Sequence, residues 1–95
     1  MIQSFSDKNT ETFFVFGIVK KKVGWRNLTK IAKRKLDMMN YANILSDLKS
    51  PPSNRLELLK GKLKGWYSIR INNQWRIVFK WNSMGPFDVA IIDYH

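Results

Sequence analysis

The sequence predicts an α+β fold, with two N-terminal helices packed on one face of a small antiparallel sheet. Three observations predict it. Leu28, Ile31, Ala32, Leu36 and Met39 recur at three-four spacing, the period of one helix face. Beyond Pro51-Pro52, residues 66–71 and 75–81 alternate apolar and polar side chains, the period of a strand with two unlike faces. Asn72-Asn73 and residues 82–86 punctuate these runs with turn formers, so the strands are joined as hairpins.

The elements follow in order. Residues 1–5 form a short strand candidate, with Ile2 and Phe5 apolar. Ser6 or Asp7 then opens a helix reaching Phe16, by accepting from backbone N–H groups that have no partner within the helix. Gly17 or the basic run Lys20-Lys21-Lys22 closes it, and Gly24 breaks the chain again. The second helix covers about 25–41, with Lys30, Lys33, Arg34 and Lys35 over most of the surface outside its apolar stripe. Pro51-Pro52 ends the segment containing Ile44, Leu45 and Leu48, because proline resists helix and extends the residue before it. A short strand over 55–60 stops at Gly61. In 66–71, Tyr67, Ile69 and Ile71 share one face with Arg70 opposite. The hairpin turn at Asn72-Asn73 uses the tolerance of Asn for left-handed backbone. In 75–81, Trp75, Ile77, Phe79 and Trp81 oppose Arg76, Val78 and Lys80, and 87–94 is the last strand. One sheet face meets the helices, and the other displays Arg70, Arg76 and Lys80 to solvent. Residues 1–95 read as one domain, with 44% hydrophobic residues to fill a core.

Seventeen Lys and Arg against seven Asp and Glu leave a net charge of +10. Such a surface attracts polyanions, and nucleic acid leads as partner through phosphate neutralisation. A basic surface matched to an acidic protein is the alternative. There is no cysteine, and the single His cannot assemble a metal site, so neither metal nor cofactor is expected. No apolar run approaches the ~20 residues of a membrane span, and no secretory leader pattern heads the sequence. A cytoplasmic location without membrane association is expected.

Chemistry concentrates in few places. Arg76, flanked by large apolar residues, is mounted on a strand, where a guanidinium fork is held well for gripping phosphate. Pairing with Asp88 or Asp93 is the alternative use of that charge. Asp93-Tyr94-His95 places a carboxylate, a phenol and the only imidazole together after the apolar strand. Metal-free RNA cleavage needs a base for the 2′-hydroxyl, an acid for the departing 5′-oxygen and cations for the phosphorane. His95 and Tyr94 suit the proton transfers, and Arg76 and Lys60 suit the charge. Lys30, Lys33, Arg34, Arg70 and Lys80 are candidate contacts to RNA or the ribosome; a plain solvated surface is their other reading.

Four motifs carry a resemblance. Asn54-Arg55-Leu56-Glu57-Leu58-Leu59-Lys60-Gly61, Gly65-Trp66-Tyr67-Ser68-Ile69-Arg70-Ile71-Asn72, Gln74-Trp75-Arg76-Ile77 and Asp93-Tyr94-His95, in that order, closely resemble the HigB toxins of the RelE/ParE superfamily. Met1-Ile2-Gln3-Ser4-Phe5 with Asp7-Lys8 also looks like that family's start. The resemblance implies a twisted, mainly antiparallel sheet with two helices against it. It implies cleavage of mRNA in the ribosomal A site without metal, and neutralisation by a helix-turn-helix antitoxin through which alone operator DNA is reached. It places Lys60, Arg76, Asp93, Tyr94 and His95 around the scissile phosphate. Where some relatives carry a second His, three residues before the lysine, this chain has Glu57. That carboxylate is left as base, as orienting group for Lys60 or Arg76, or as surface acid. A ParE-like gyrase inhibitor and a non-catalytic RNA-binding domain are the competing readings.

Overall fold

The computed structural model describes residues 1–94. Among them are two α-helices, α1 (Lys8–Phe16) and α2 (Thr29–Tyr41). Four strands follow, β1 (Glu57–Leu58), β2 (Tyr67–Arg70), β3 (Trp75–Asn82) and β4 (Gly85–Asp93). The strands pair in chain order as an antiparallel meander, β1-β2-β3-β4. No helix among the described residues is long and apolar enough to cross a membrane.

Asp7 opens α1 by accepting from the backbone N–H of Thr10 at 3.2 Å, and Gly17 closes it in the left-handed conformation at φ 71°. Thr10 is fully buried yet satisfied on both sides. Its hydroxyl donates to Asp7 and accepts from the Ile91 N–H at 3.0 Å, so a side chain of α1 takes up a backbone donor of β4. Phe13 and Trp25 meet edge to face at 5.1 Å beneath the sheet.

The apolar stripe of α2 behaves as its spacing requires: Ala32, Leu36 and Met39 are wholly buried against Ile69, Ile77, Phe79 and Val89. The helix starts later than expected, at Thr29, after a 3-10 turn over Arg26–Leu28. Lys35 departs from the solvated position that its charge predicts. It lies four residues after Ile31 and three after Ala32, inside the stripe, and is only 4% exposed. Its ammonium donates to the Asn54 side chain. Asn54, also buried, donates in turn to the carbonyls of Leu48 at 3.1 Å and Ser50 at 3.3 Å. This pair fastens the 48–54 segment to α2. Burial, and secondarily the charge of Arg34, hold the Lys35 amine below the ordinary lysine value of 10.5.

Other boundaries shift. Residues 1–5 form no regular strand. Phe5 makes a single parallel bridge to Val89, supported by Gln3 N–H to Pro86 O at 2.8 Å and Val89 N–H to Ser4 O at 3.0 Å. That is enough to cover part of the outer edge of β4. The expected strand over 55–60 shrinks to Glu57–Leu58, because Arg55 adopts φ 47° and Gly61 φ 70° on either side. The turn at Asn72-Asn73 needs no left-handed residue. Instead the Asn72 side-chain oxygen accepts from the N–H groups of Gln74 at 2.9 Å and Trp75 at 2.8 Å.

The second sheet face is not simply open. Leu59, Val78 and Ala90 form a small buried cluster there, flanked by Trp66, Ile92 and Tyr94. Lys80 and Arg76 lie on this face with most of their surface withdrawn from water.

Removing the acceptor of a buried ammonium leaves it unpaired. Asn54→Ala is therefore expected to cost about 3 kcal/mol, lowering the melting temperature by roughly 15 °C. Lys35→Met, which keeps the stem without the charge, is expected to cost less. As pH rises through the window below 10.5, the folded state holds fewer protons than the unfolded one, so wild type gains stability relative to Lys35→Met. Melting curves across that window check the sign.

Candidate active site

The site grows from the middle of β3. Side chains in that strand point alternately to opposite faces, so with Ile77 and Phe79 fully buried against the helices, Arg76 is fixed on the other face. Its direct cross-strand partners are Arg70 on β2 and Ile92 on β4. Two like charges opposite each other disfavour the pairing, and an anion between them would relieve that cost.

The Arg76 guanidinium is held on several sides. One nitrogen donates to Ser68 Oγ at 2.7 Å and to the Arg55 carbonyl at 3.4 Å. The other donates to Glu57 Oε1 at 3.3 Å. The Tyr94 ring lies 5.3 Å from the guanidinium carbon. With 12% of its side chain exposed, Arg76 is a restrained fork rather than a free surface charge. The sequence offers Asp88 or Asp93 as its acid. Asp88 pairs instead with Lys80 at 3.8 Å, and the ion pair of Arg76 is made with Glu57.

Tyr94 stays in register beyond β4 because its N–H donates to the Gln74 carbonyl at 2.7 Å. Asp93 accepts from the Gln74 side chain at 3.0 Å. Arg70 donates to the Asn73 side chain. An open cleft of about 300 Å³ is lined by Arg70, Asn72, Asn73, Arg76 and Tyr94. Among the described residues no group of three or more His, Cys, Asp or Glu side chains is placed to hold a metal ion.

Arg76 and Tyr94 are therefore in contact, whereas Asp93, in register with Trp75, lies on the opposite sheet face and accepts there from the Gln74 side chain. His95 lies outside the described residues. Lys60 is exposed just after β1, before the 3-10 turn at Gly61–Leu63, and its side chain makes no hydrogen bond or ion pair to a described residue. The candidate RNA and ribosome contacts divide. Arg70 lines the Arg76–Tyr94 cleft, and Lys80 lies 4.9 Å from the Trp66 ring. Lys33 pairs with Asp37 at 2.6 Å, and with Lys30 it borders an apolar groove of about 620 Å³ between α1 and α2. That groove holds no acid–base set, and neither Arg76 nor Tyr94 lines it. Arg34 sits apart from the groove, in a second basic cleft. Ser68, Arg55 and Gln74 lie within the motifs that carry the resemblance, but nothing there marks them as contacts of Arg76 or Tyr94. Ser68 shares the polar face of its strand with Arg70, but only the β2–β3 register shows that it lies diagonal to Arg76.

This sequence and this fold have relatives among known proteins. The model of the family described as "RelE-like toxin of type II toxin-antitoxin system HigB" matches residues 3–95. Toxin HigB-1 of Vibrio cholerae serotype O1 is 54% identical over 48 residues, half of this chain and about half the length of that relative. A Haemophilus influenzae protein described as uncharacterized is 40% identical over 81 residues, 85% of this chain and 79% of its own. A chain of the YoeB-YefM complex from Staphylococcus aureus shares the fold at a TM-score of 0.60 and 18% identity, covering 100% of this chain and 98% of that one.

The Glu57–Arg76 pair holds a geometry more than it stabilises the fold, since the Glu57 side chain is 50% exposed. Glu57→Gln is expected to change unfolding free energy by no more than about 1 kcal/mol. A drop beyond about 2 kcal/mol in urea denaturation would show that the pair is structural.

Proposed function

Because this chain belongs to the HigB-like family of RelE-like toxins from type II toxin–antitoxin systems, we propose that it cleaves mRNA within the ribosome, with its reaction centre at the Arg76–Tyr94 cleft. The observation that carries this reading is the restrained guanidinium of Arg76, facing a cleft beside a second guanidinium and a phenol.

The reaction balances without an outside reagent. The 2′-oxygen of the nucleotide attacks the adjacent phosphorus, an O2′–P bond forms and the P–O5′ bond breaks. The products are a 2′,3′-cyclic phosphate and a free 5′-hydroxyl. One group takes the 2′-hydroxyl proton, and another gives a proton to the leaving 5′-oxygen. We assign these transfers to Tyr94 and His95, with Asp93 orienting them. Arg76 opposes the negative charge that builds on the phosphorane, where a fixed cation acts most strongly. Lys60 adds charge from beyond β1.

Glu57 fits the orienting role better than that of a base. An anion beside the scissile phosphate opposes substrate entry. Its oxygen 3.3 Å from the fork nonetheless holds Arg76 in place before RNA arrives. Ser68 and the Arg55 carbonyl are neutral acceptors, so they orient the fork without cancelling its charge. The partners of this reading are the ribosome, mRNA and a helix-turn-helix antitoxin, acting in the cytoplasm.

Arg76→Ala is expected to lower mRNA cleavage by about 10²–10³-fold. Ser68→Ala, which frees the fork without removing it, is expected to cost roughly tenfold. Transcript ends mapped after brief induction provide the test. In-frame cuts inside translated codons with wild type, and their disappearance with Arg76→Ala, are the expected result. Gyrase trapped on DNA with intact transcripts would replace this reading by a ParE-like one, and RNA bound on ribosomes without cleavage would leave a binding domain only.

A further inference from the structure

A second basic cleft, of about 460 Å³, opens between α2 and the β2–β3 hairpin. It is lined by Arg34, Lys35, Ser53, Arg55, Arg70 and Asn72 among others, with no carboxylate in its wall among the described residues. Arg70 and Asn72 also line the reaction cleft, so the two depressions share a wall. We propose that this second cleft is a phosphate-binding site that grips the RNA backbone next to the phosphodiester held by Arg76. The inference rests on the RNA-cleaving reading above and names where the strand runs.

Three observations carry it. First, four cationic side chains share one cleft without an acid among them, an arrangement that repels itself until an anion enters. Lys35 forms part of its floor, buried, and its amine is already disfavoured as a cation by burial and by Arg34. A phosphate in the cleft relieves the repulsion among these cations.

Second, Arg55 stands between the two depressions. It lines the basic cleft, and its carbonyl accepts from Arg76 at 3.4 Å. Its backbone is left-handed, φ 47°, which is costly for a residue with a side chain.

Third, the geometry selects the ligand. Guanidinium forks accept phosphate and carboxylate alike. A ligand reaching from Arg76 through Arg70 to Arg34 and Arg55, however, must present anions in series, as an RNA strand does with one phosphate per nucleotide.

The test is binding without chemistry. The probes are a dinucleoside monophosphate and a hexanucleotide, each carrying 2′-deoxyribose at the cleavable position. The Arg34→Gln/Arg55→Gln pair removes both charges while keeping polar, unbranched side chains, and leaves the left-handed backbone at Arg55 to the same kind of residue. It is expected to bind the hexanucleotide about tenfold more weakly than wild type and the dinucleoside monophosphate equally. The slope of log K against log salt should fall by about 0.7 for each phosphate no longer neutralised. Arg34→Lys/Arg55→Lys, which keeps the charge, should restore that slope and so distinguishes a missing cation from a misfolded chain.

An unchanged hexanucleotide affinity and salt slope would overturn the proposal. So would unchanged RNA binding with weakened affinity for polyglutamate, which would give the cleft to an acidic protein. Arg76→Gln separates the two readings. If it abolishes cleavage on ribosomes while the Arg34/Arg55 pair binds normally, the reaction centre stands and the second site falls. If it cleaves like wild type while the Arg34/Arg55 pair no longer holds the hexanucleotide, the reverse is true.

Discussion

The antiparallel pairing of β3 with both its neighbours is the constraint from which the rest of the molecule takes its positions. Ile77 and Phe79 are fully buried on one side of this strand, and a one-residue slip would expose them to water. With that slip forbidden, Arg76 has one place, between Arg70 and Ile92, within reach of Ser68. The hydrophobic core thus sets the aim of a charged group that it does not touch.

The same pairing is adjusted at one point. Val78 pairs with Ala90 but Lys80 with Phe87, so Phe79 faces two residues of β4, Asp88 and Val89. This bulge places Asp88 at φ 52°, and two serines from the N-terminal segment satisfy its backbone. Ser4 Oγ accepts from the Asp88 N–H at 2.9 Å, and Ser6 Oγ donates to its carbonyl at 3.0 Å. The Asp88 carboxylate is thereby left beside Lys80 rather than Arg76. A feature near the start of the chain therefore helps decide which acid the central arginine does not meet.

Polar groups carry much of the organisation that apolar contacts cannot specify. Thr10 joins α1 to β4, and Lys35 with Asn54 joins α2 to the segment leading into β1. Each is buried, and each is satisfied by a partner distant in sequence. The second connection ends one residue before Arg55, whose carbonyl holds Arg76. The buried ammonium and the contact to Arg76 are neighbours along the chain, so the group that fastens α2 and the one that holds the guanidinium share a loop.

The sequence by itself determined the α+β class, the stripe on α2, the two faces of β3 and the side of the sheet on which Arg76 lies. Each follows from a local period, 3.6 or 2 residues, that burial enforces. The motifs around Lys60, Arg70, Arg76 and Asp93-Tyr94-His95 also sufficed to indicate the family. Tertiary structure alone decided which residues meet. That Glu57 rather than Asp88 pairs with Arg76 depends on a bulge and on the register of β1 against β2. That Lys35 is buried depends on Asn54, nineteen residues away, supplying an acceptor. That the Arg55 carbonyl meets Arg76 depends on the conformation of the loop before β1. Periodicity assigns a side chain to a face, whereas partners across that face come from strand register and loop conformation, which no local pattern encodes.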